Sequence, residues 1–111
     1  MIENDRELIR ALRALADPHR FRMVQEIAAA GELSCGQILE RFSLSQPTIS
    51  HHLRILSDAG VITVRADAKH RFLSVNRVLV RKLTQLLPKR LAADAAPEMH
   101  TLKKNKRPRE R

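Results

Sequence analysis

The apolar residues of the first thirty positions recur at helical spacing. They predict an amphipathic helix over residues 5–16. Asp17 and Pro18 then restart the chain, because Asp is a good N-cap and Pro is favoured at the first helical position. This second predicted helix reaches about Ala30, and Gly31 ends it. The spaced leucines of the first helix are Leu8, Leu12 and Leu15.

A capping box opens the third predicted helix. Ser34 and Gln37 have the S-x-x-Q spacing, and Leu33 and Ile38 occupy the positions of a hydrophobic staple. The helix is short and is predicted to stop near Phe42.

Ser45 repeats this device and is predicted to cap a fourth helix that ends at Gly60. The apolar stripe of this helix consists of Ile49, Leu53 and Leu56. Only two or three residues separate it from the third helix. Two short helices with so tight a joint predict a helix-turn-helix.

After Gly60 the pattern alternates with the period of a strand. VITVR (61–65) and RFLSV (71–75), joined by ADAKH (66–70), predict a two-stranded hairpin. Asn76 is predicted to cap a last helix, which Pro88 would kink or end.

The order of these elements predicts a winged helix-turn-helix, a mainly α fold of about five helices plus a two-stranded wing. We expect residues 1–93 to form one winged helix-turn-helix domain for DNA binding. Residues 94–111 contain two prolines and many basic side chains, which predict a disordered basic tail.

Charge suggests the kind of partner. The net charge is +9, and residues 61–111 alone carry ten more basic than acidic side chains. One basic half favours a polyanion, most simply nucleic acid. The chain contains no apolar run of membrane-spanning length, and its charged N-terminus is unlike a signal peptide, so we expect a cytoplasmic protein without a membrane partner.

The exposed face of the fourth helix carries short side chains that form hydrogen bonds. In a helix-turn-helix, the second helix enters the major groove, where such side chains read base edges or grip phosphates. The candidate residues on this helix are Gln46, Thr48, Ser50, His51 and Arg54. The candidate DNA contacts on the wing are Arg65, Lys69, His70 and Arg71. An ordinary solvated helix face and plain hairpin charges are the alternatives.

The segments LADPHRFRMVQEI and SLSQPTISHHLRILSDAGVI, with the capped third helix and the basic hairpin, resemble the ArsR/SmtB family. Members are small dimeric winged-helix repressors, and the resemblance covers roughly residues 8–80. It implies a homodimer on an imperfect palindrome of double-stranded DNA, with a seam formed by the first and last helices. The seam candidates are Leu8, Leu12, Leu15, Leu83 and Leu87. The core of a single chain would explain these leucines equally well.

The family's usual metal ligands are missing. A Cys-x-Cys pair in the third helix of many relatives corresponds here to Ser34 and Gly36. Residues 77–91 contain no Asp, Glu, His or Cys. His51 and His52 are adjacent and therefore diverge on a helix, while His19, His70 and His100 are isolated in sequence. We therefore predict neither a metal site nor a cofactor.

Cys35 is the only cysteine. Its position at the start of a helix favours a reactive thiolate. Its spacing with Ile38, Leu39 and Phe42 instead places it on the buried stripe, and we favour a packed thiol.

Together these features predict a sequence-specific DNA-binding repressor without enzymatic activity, since no catalytic constellation is evident. The alternatives are a winged-helix module that binds protein or RNA, and a redox-responsive repressor acting through Cys35. A small organic ligand, an oxidant or no effector at all would fit the sequence.

Overall fold

The structure is a computed structural model that describes residues 2–92, with side chains from residue 5 onward. It contains five helices and three short strands. The helices are α1 (Ile2–Leu15), α2 (Pro18–Ala30), α3 (Cys35–Arg41), α4 (Gln46–Asp58) and α5 (Arg77–Ala92). The strands are β1 (Leu33–Ser34), β2 (Ile62–Asp67) and β3 (His70–Val75). The predicted winged helix-turn-helix is therefore confirmed. The predicted basic tail at 94–111 lies outside the described residues.

The predicted caps set the helix boundaries. The Asp17 carboxylate accepts a hydrogen bond from the Arg20 backbone N–H at 3.0 Å. Gly31 ends α2 with φ 84°, a conformation that favours glycine. At α3 the capping box is complete, because Ser34 Oγ accepts from Gln37 N at 3.1 Å and Gln37 Oε1 accepts from Ser34 N at 2.8 Å.

The sheet differs from the predicted hairpin in having a third strand. β1 pairs antiparallel with β3, with Leu33 opposite Leu73 and Ser34 opposite Phe72, so the strand order is β1-β3-β2. A two-residue strand has no detectable alternation, which is why the sequence pattern missed it.

The wing is also longer than predicted, and its turn is tighter. β2 and β3 pair as far as Asp67 and His70, which leaves only Ala68 and Lys69 in the turn. Ala68 adopts φ 55°. A two-residue hairpin turn needs such a positive φ to match the twist of its strands, although glycine is the usual residue there.

The chain divides into two compact units, Met1–Val80 and a second that begins at Arg81. In the first unit, α1, α2, α3 and α4 surround a core that also includes the inner face of the sheet. Its most buried large side chains are Met23, Ile27, Ile38, Ile49, Leu56, Val61, Ile62 and Leu73.

In the second unit, α5 continues through Pro88 to Ala92, so Pro88 does not end the helix, and a kink at Pro88 stays a prediction. Proline removes a single backbone donor, and its fixed φ is compatible with a helix. None of the helices within residues 2–92 is long and apolar enough to cross a membrane.

Candidate nucleic-acid interface

The N-terminus of α4 is held in place by Ser45. Its hydroxyl accepts from the Thr48 backbone N–H at 3.3 Å and donates to Thr48 Oγ1 at 2.8 Å. The Thr48 hydroxyl therefore acts as an acceptor towards Ser45 and keeps its own proton for another partner. Pro47 lies in the first turn, where its missing N–H costs no helical hydrogen bond.

The two faces of α4 are cleanly separated. Ile49, Leu53 and Leu56 are buried, with at most 8% of their surface exposed, and they fix the rotation of the helix about its axis. The predicted DNA-contacting side chains of this helix are all exposed on the other side. They are Gln46, Thr48, Ser50, His51 and Arg54. The predicted exposure of this face is confirmed, and its contact with bases stays a prediction.

The predicted wing contacts do not share one face. Arg71 pairs with Ala66 on the side of the sheet that carries the buried Leu73. Arg65 pairs with Phe72 and therefore projects from the opposite side. Lys69 lies in the turn at the tip. Arg71 and Arg65 would therefore have to approach DNA from opposite faces of the sheet.

Arg65 is already engaged within the protein. Its guanidinium forms two hydrogen bonds with the Glu32 carboxylate, at 3.0 and 3.3 Å, and lies 3.7 Å from Asp67 Oδ2. It also stacks on Phe72, with 4.6 Å between the guanidinium carbon and the ring centroid. The Glu32 carboxylate raises the pKa of Arg65. These contacts orient Arg65 and offset part of the charge it could offer to a phosphate.

Arg71 instead faces the candidate recognition helix across a cleft of about 310 Å³. Ser50 and Arg54 of α4 line the same cleft, so three of the predicted DNA-contacting residues converge there. The two guanidinium groups outnumber the one carboxylate of the cleft, that of Asp58, so the lining is net positive, which suits a phosphate oxygen.

Cys35 also lines this cleft and a smaller one that reaches Lys69 and His70. It is only partly buried, so the prediction of a packed core thiol needs correction. Cys35 is the first residue of the seven-residue α3, and it borders two clefts there instead of lying within the core. Ile38, one turn later, is completely buried.

The histidines are arranged differently from the prediction. His19 is not isolated, because its ring centroid lies 5.8 Å from that of His52. Arg20 Nη1 lies 3.3 Å from His52 Nδ1, and burial lowers the pKa of His52 below its ordinary value. The hydrogen bond from Arg20 N lowers the pKa of Asp17, which belongs to the same cluster. His19 and His52 are 33 positions apart in the sequence, and no local spacing links them.

The predicted dimer-seam leucines differ in exposure. Leu8 and Leu83 are buried, with 6% and 7% of their surface exposed. Leu12, Leu15 and Leu87 are partly exposed. Their role in a dimer stays a prediction.

This arrangement, with a capped helix presenting hydrogen-bonding groups beside a basic wing, defines a DNA-binding winged helix-turn-helix. Residues 15–65 match the helix-turn-helix domain family. The chain is 33% identical over 82 residues to the arsenical resistance operon repressor of Staphylococcus aureus, covering 74% of this chain and 78% of that protein.

Two solved structures are similar to this fold. One is a possible transcriptional regulator for arsenical resistance, with TM-score 0.64, 33% identity, and coverage of 77% of this chain and 95% of that chain. The other is the homodimeric winged helix-turn-helix domain of Mb0332 from Mycobacterium bovis, with TM-score 0.63, 20% identity and coverage of 79% of each chain.

The chain belongs to the ArsR/SmtB family of winged-helix transcriptional repressors. It is a DNA-binding regulator and not an enzyme.

Proposed function

We propose that the protein is a homodimeric repressor that binds a palindromic operator and blocks access of RNA polymerase to a promoter. The observation that carries the proposal is the exposed polar face of α4, which lies beside Arg71 of the wing across one cleft. A two-fold dimer presents two such helices, and a palindrome presents two matching half-sites. We expect the protein to act in the cytoplasm.

Within this interface we assign base reading to the N-terminal half of α4 and phosphate binding to the basic groups around it. The base-reading residues would be Gln46, Thr48, Ser50 and His51. The phosphate-binding residues would be Arg54, Lys69, His70 and Arg71, with Arg65 contributing less because of its pairing with Glu32. A phosphate contact adds affinity for every sequence, whereas a base contact adds discrimination.

The test begins with genome-wide mapping of bound sites to obtain an operator. We expect the double variant Ser50→Ala, Arg54→Ala to abolish operator binding while leaving a folded dimer. Arg22→Ala is the matched control, because Arg22 is an exposed arginine on α2 that pairs with Glu26. Unchanged operator affinity in the double variant would refute the site assignment.

Salt dependence separates the two kinds of contact. Removing one phosphate-binding arginine should reduce the slope of log affinity against log salt by about 1, whereas removing a base contact should relax sequence preference. We expect Arg71→Ala to change the slope and Gln46→Ala to change the preference. Equal binding to operator and random duplex DNA would favour a module that binds protein or RNA.

A second form of the proposal makes repression redox-responsive through Cys35. The observation that favours it is the position of the thiol in the cleft with Ser50 and Arg54. A modified thiol there would occupy space that the DNA backbone needs. Fast labelling of Cys35 in the native protein, with loss of operator binding, would support this form. Slow labelling would argue against a redox effector, which leaves a small organic ligand or no effector.

A further inference from the structure

Three side chains with metal-binding atoms converge where the start of α2 meets α4. Asp17 is the N-cap of α2, His19 lies in its first turn, and His52 projects from α4. One ligand atom from each lies within 4.8 Å of the others. In a tetrahedral site with bonds of about 2.0–2.1 Å, ligand atoms are about 3.3–3.5 Å apart. The separations between the ligand atoms therefore need to shorten by at most about 1.5 Å, which side-chain rotations can supply.

We propose that Asp17, His19 and His52 form a binding site for a divalent transition-metal ion such as Zn²⁺ or Co²⁺. Two imidazole nitrogens and one carboxylate oxygen are ligand types that these ions accept, and a water molecule would complete four-fold coordination. The site differs from the positions of Ser34 and Gly36 and from α5, where the residues needed for metal binding are missing.

The carboxylate can serve the helix and the metal at once. Asp17 Oδ2 accepts the capping hydrogen bond from Arg20 N at 3.0 Å. An ionised carboxylate has a second oxygen with its own lone pairs, so metal binding does not require the cap to break. Asparagine also caps helices well, which allows the charge at this position to be removed without losing the cap.

Arg20 is the competitor for this site. Its Nε donates to Ala14 O at 2.6 Å and its Nη2 donates to Arg13 O at 3.3 Å, which leaves Nη1 towards His52 Nδ1. A guanidinium can only donate, so His52 Nδ1 accepts and the neutral ring keeps its proton on Nε2. A metal ion that takes His52 as a ligand must therefore displace the Nη1 contact, while the two carbonyl bonds hold Arg20 nearby.

The nearby Arg20 sets the expected affinity for the metal ion, and the position of the site sets the effect of the ion on stability. A permanent cation beside the site weakens the binding of a second cation, so we expect micromolar rather than nanomolar affinity. The bound ion would join the start of α2 to the middle of α4, two segments far apart in sequence. It would therefore stabilise the folded chain, by an amount that grows with the logarithm of the metal concentration once this exceeds the dissociation constant.

The test is a titration of the purified full-length protein with Co²⁺, followed by its visible ligand-field absorption, and with Zn²⁺ in competition with a chelating dye. We expect one ion per chain. His19→Gln and His52→Gln should each weaken binding by about tenfold or more, because each removes one of three ligands. Asp17→Asn should weaken binding similarly while keeping the N-cap.

His51→Gln is the matched control, because His51 is the exposed neighbour of His52 on the same helix and is not part of the cluster. The affinity of this variant for Co²⁺ and Zn²⁺ should match that of the wild type. Circular dichroism identifies any variant that fails to fold. If a histidine variant does not fold, the metal affinity of Asp17→Asn, which keeps the N-cap, tests the proposal instead. Absence of binding, or wild-type affinity in both His19→Gln and His52→Gln, would overturn the proposal. Operator binding is measured separately, so either proposal can fail alone.

Discussion

Asn76 joins the end of the helix-turn-helix to the start of the last helix through both ends of its side-chain amide. Asn76 Oδ1 accepts from Leu79 N at 3.2 Å, which caps α5, and Nδ2 donates to Gly60 O at 2.9 Å. Its backbone N–H donates to Val61 O at 2.9 Å, and this bond does not depend on the side chain. Two separable side-chain interactions therefore meet at one residue.

Two substitutions separate these interactions. Asn76→Ala removes both, and we expect it to lower the free energy of unfolding by about 2 kcal/mol, from ~1 for the cap and ~1 for the hydrogen bond. Asn76→Ser keeps a capping oxygen but is too short to reach Gly60 O, so about 1 kcal/mol should be lost.

The assay is urea unfolding followed by circular dichroism, with all variants at one protein concentration because the proposed dimer would contribute to apparent stability. The order wild type, Ser, Ala is the expected result. Equal stability of the Ser and Ala variants would refute the cap, and an Ala variant as stable as the wild type would refute the whole reasoning.

Three further predictions concern the wing and the surface charges. Ala68→Gly should stabilise the protein by about 0.5 kcal/mol by relieving the positive φ, whereas Ala66→Gly in the strand should destabilise it by about 0.5–1 kcal/mol; equal losses in urea unfolding would show that Ala68 is unstrained. Hydrogen bonding to Arg41 holds the pKa of Glu26 below its usual value. The stabilisation by ionised Glu26 is therefore complete above the usual glutamate pKa and is lost as pH falls through the pKa of Glu26 in the folded protein. Glu26→Gln should then make the free energy of unfolding depend less on pH on the acid side. Parallel pH profiles of the variant and the wild type would contradict this. Glu32→Gln should tighten operator binding about two- to fivefold by removing a competing carboxylate, and weaker binding by gel shift would contradict this.

Local chemistry explains what the sequence pattern predicted correctly. Caps such as Ser34 and Ser45 act within three residues, so their pattern is readable without knowledge of the fold. The buried stripe of α4 follows helical periodicity, and the predicted orientation of the exposed face followed directly from it.

The features that were missed depend on contacts between distant segments or on permissive backbone. The pairing of Leu33 with Leu73 crosses forty positions, and the approach of His19 to His52 requires the packing of α2 on α4. The division of Arg65 and Arg71 between two faces depends on strand register, which the longer hairpin and its turn at Ala68 determine.

Ser34 belongs to two structures at once. As the last residue of β1 it pairs with Phe72 of β3, and as the N-cap of α3 it holds Gln37. A slip of the wing by one residue would break the pairing and pull on the cap in the same movement. The strand contact of the wing and the cap of α3 therefore share one residue, so we expect a displacement of the wing to disturb the first turn of α3.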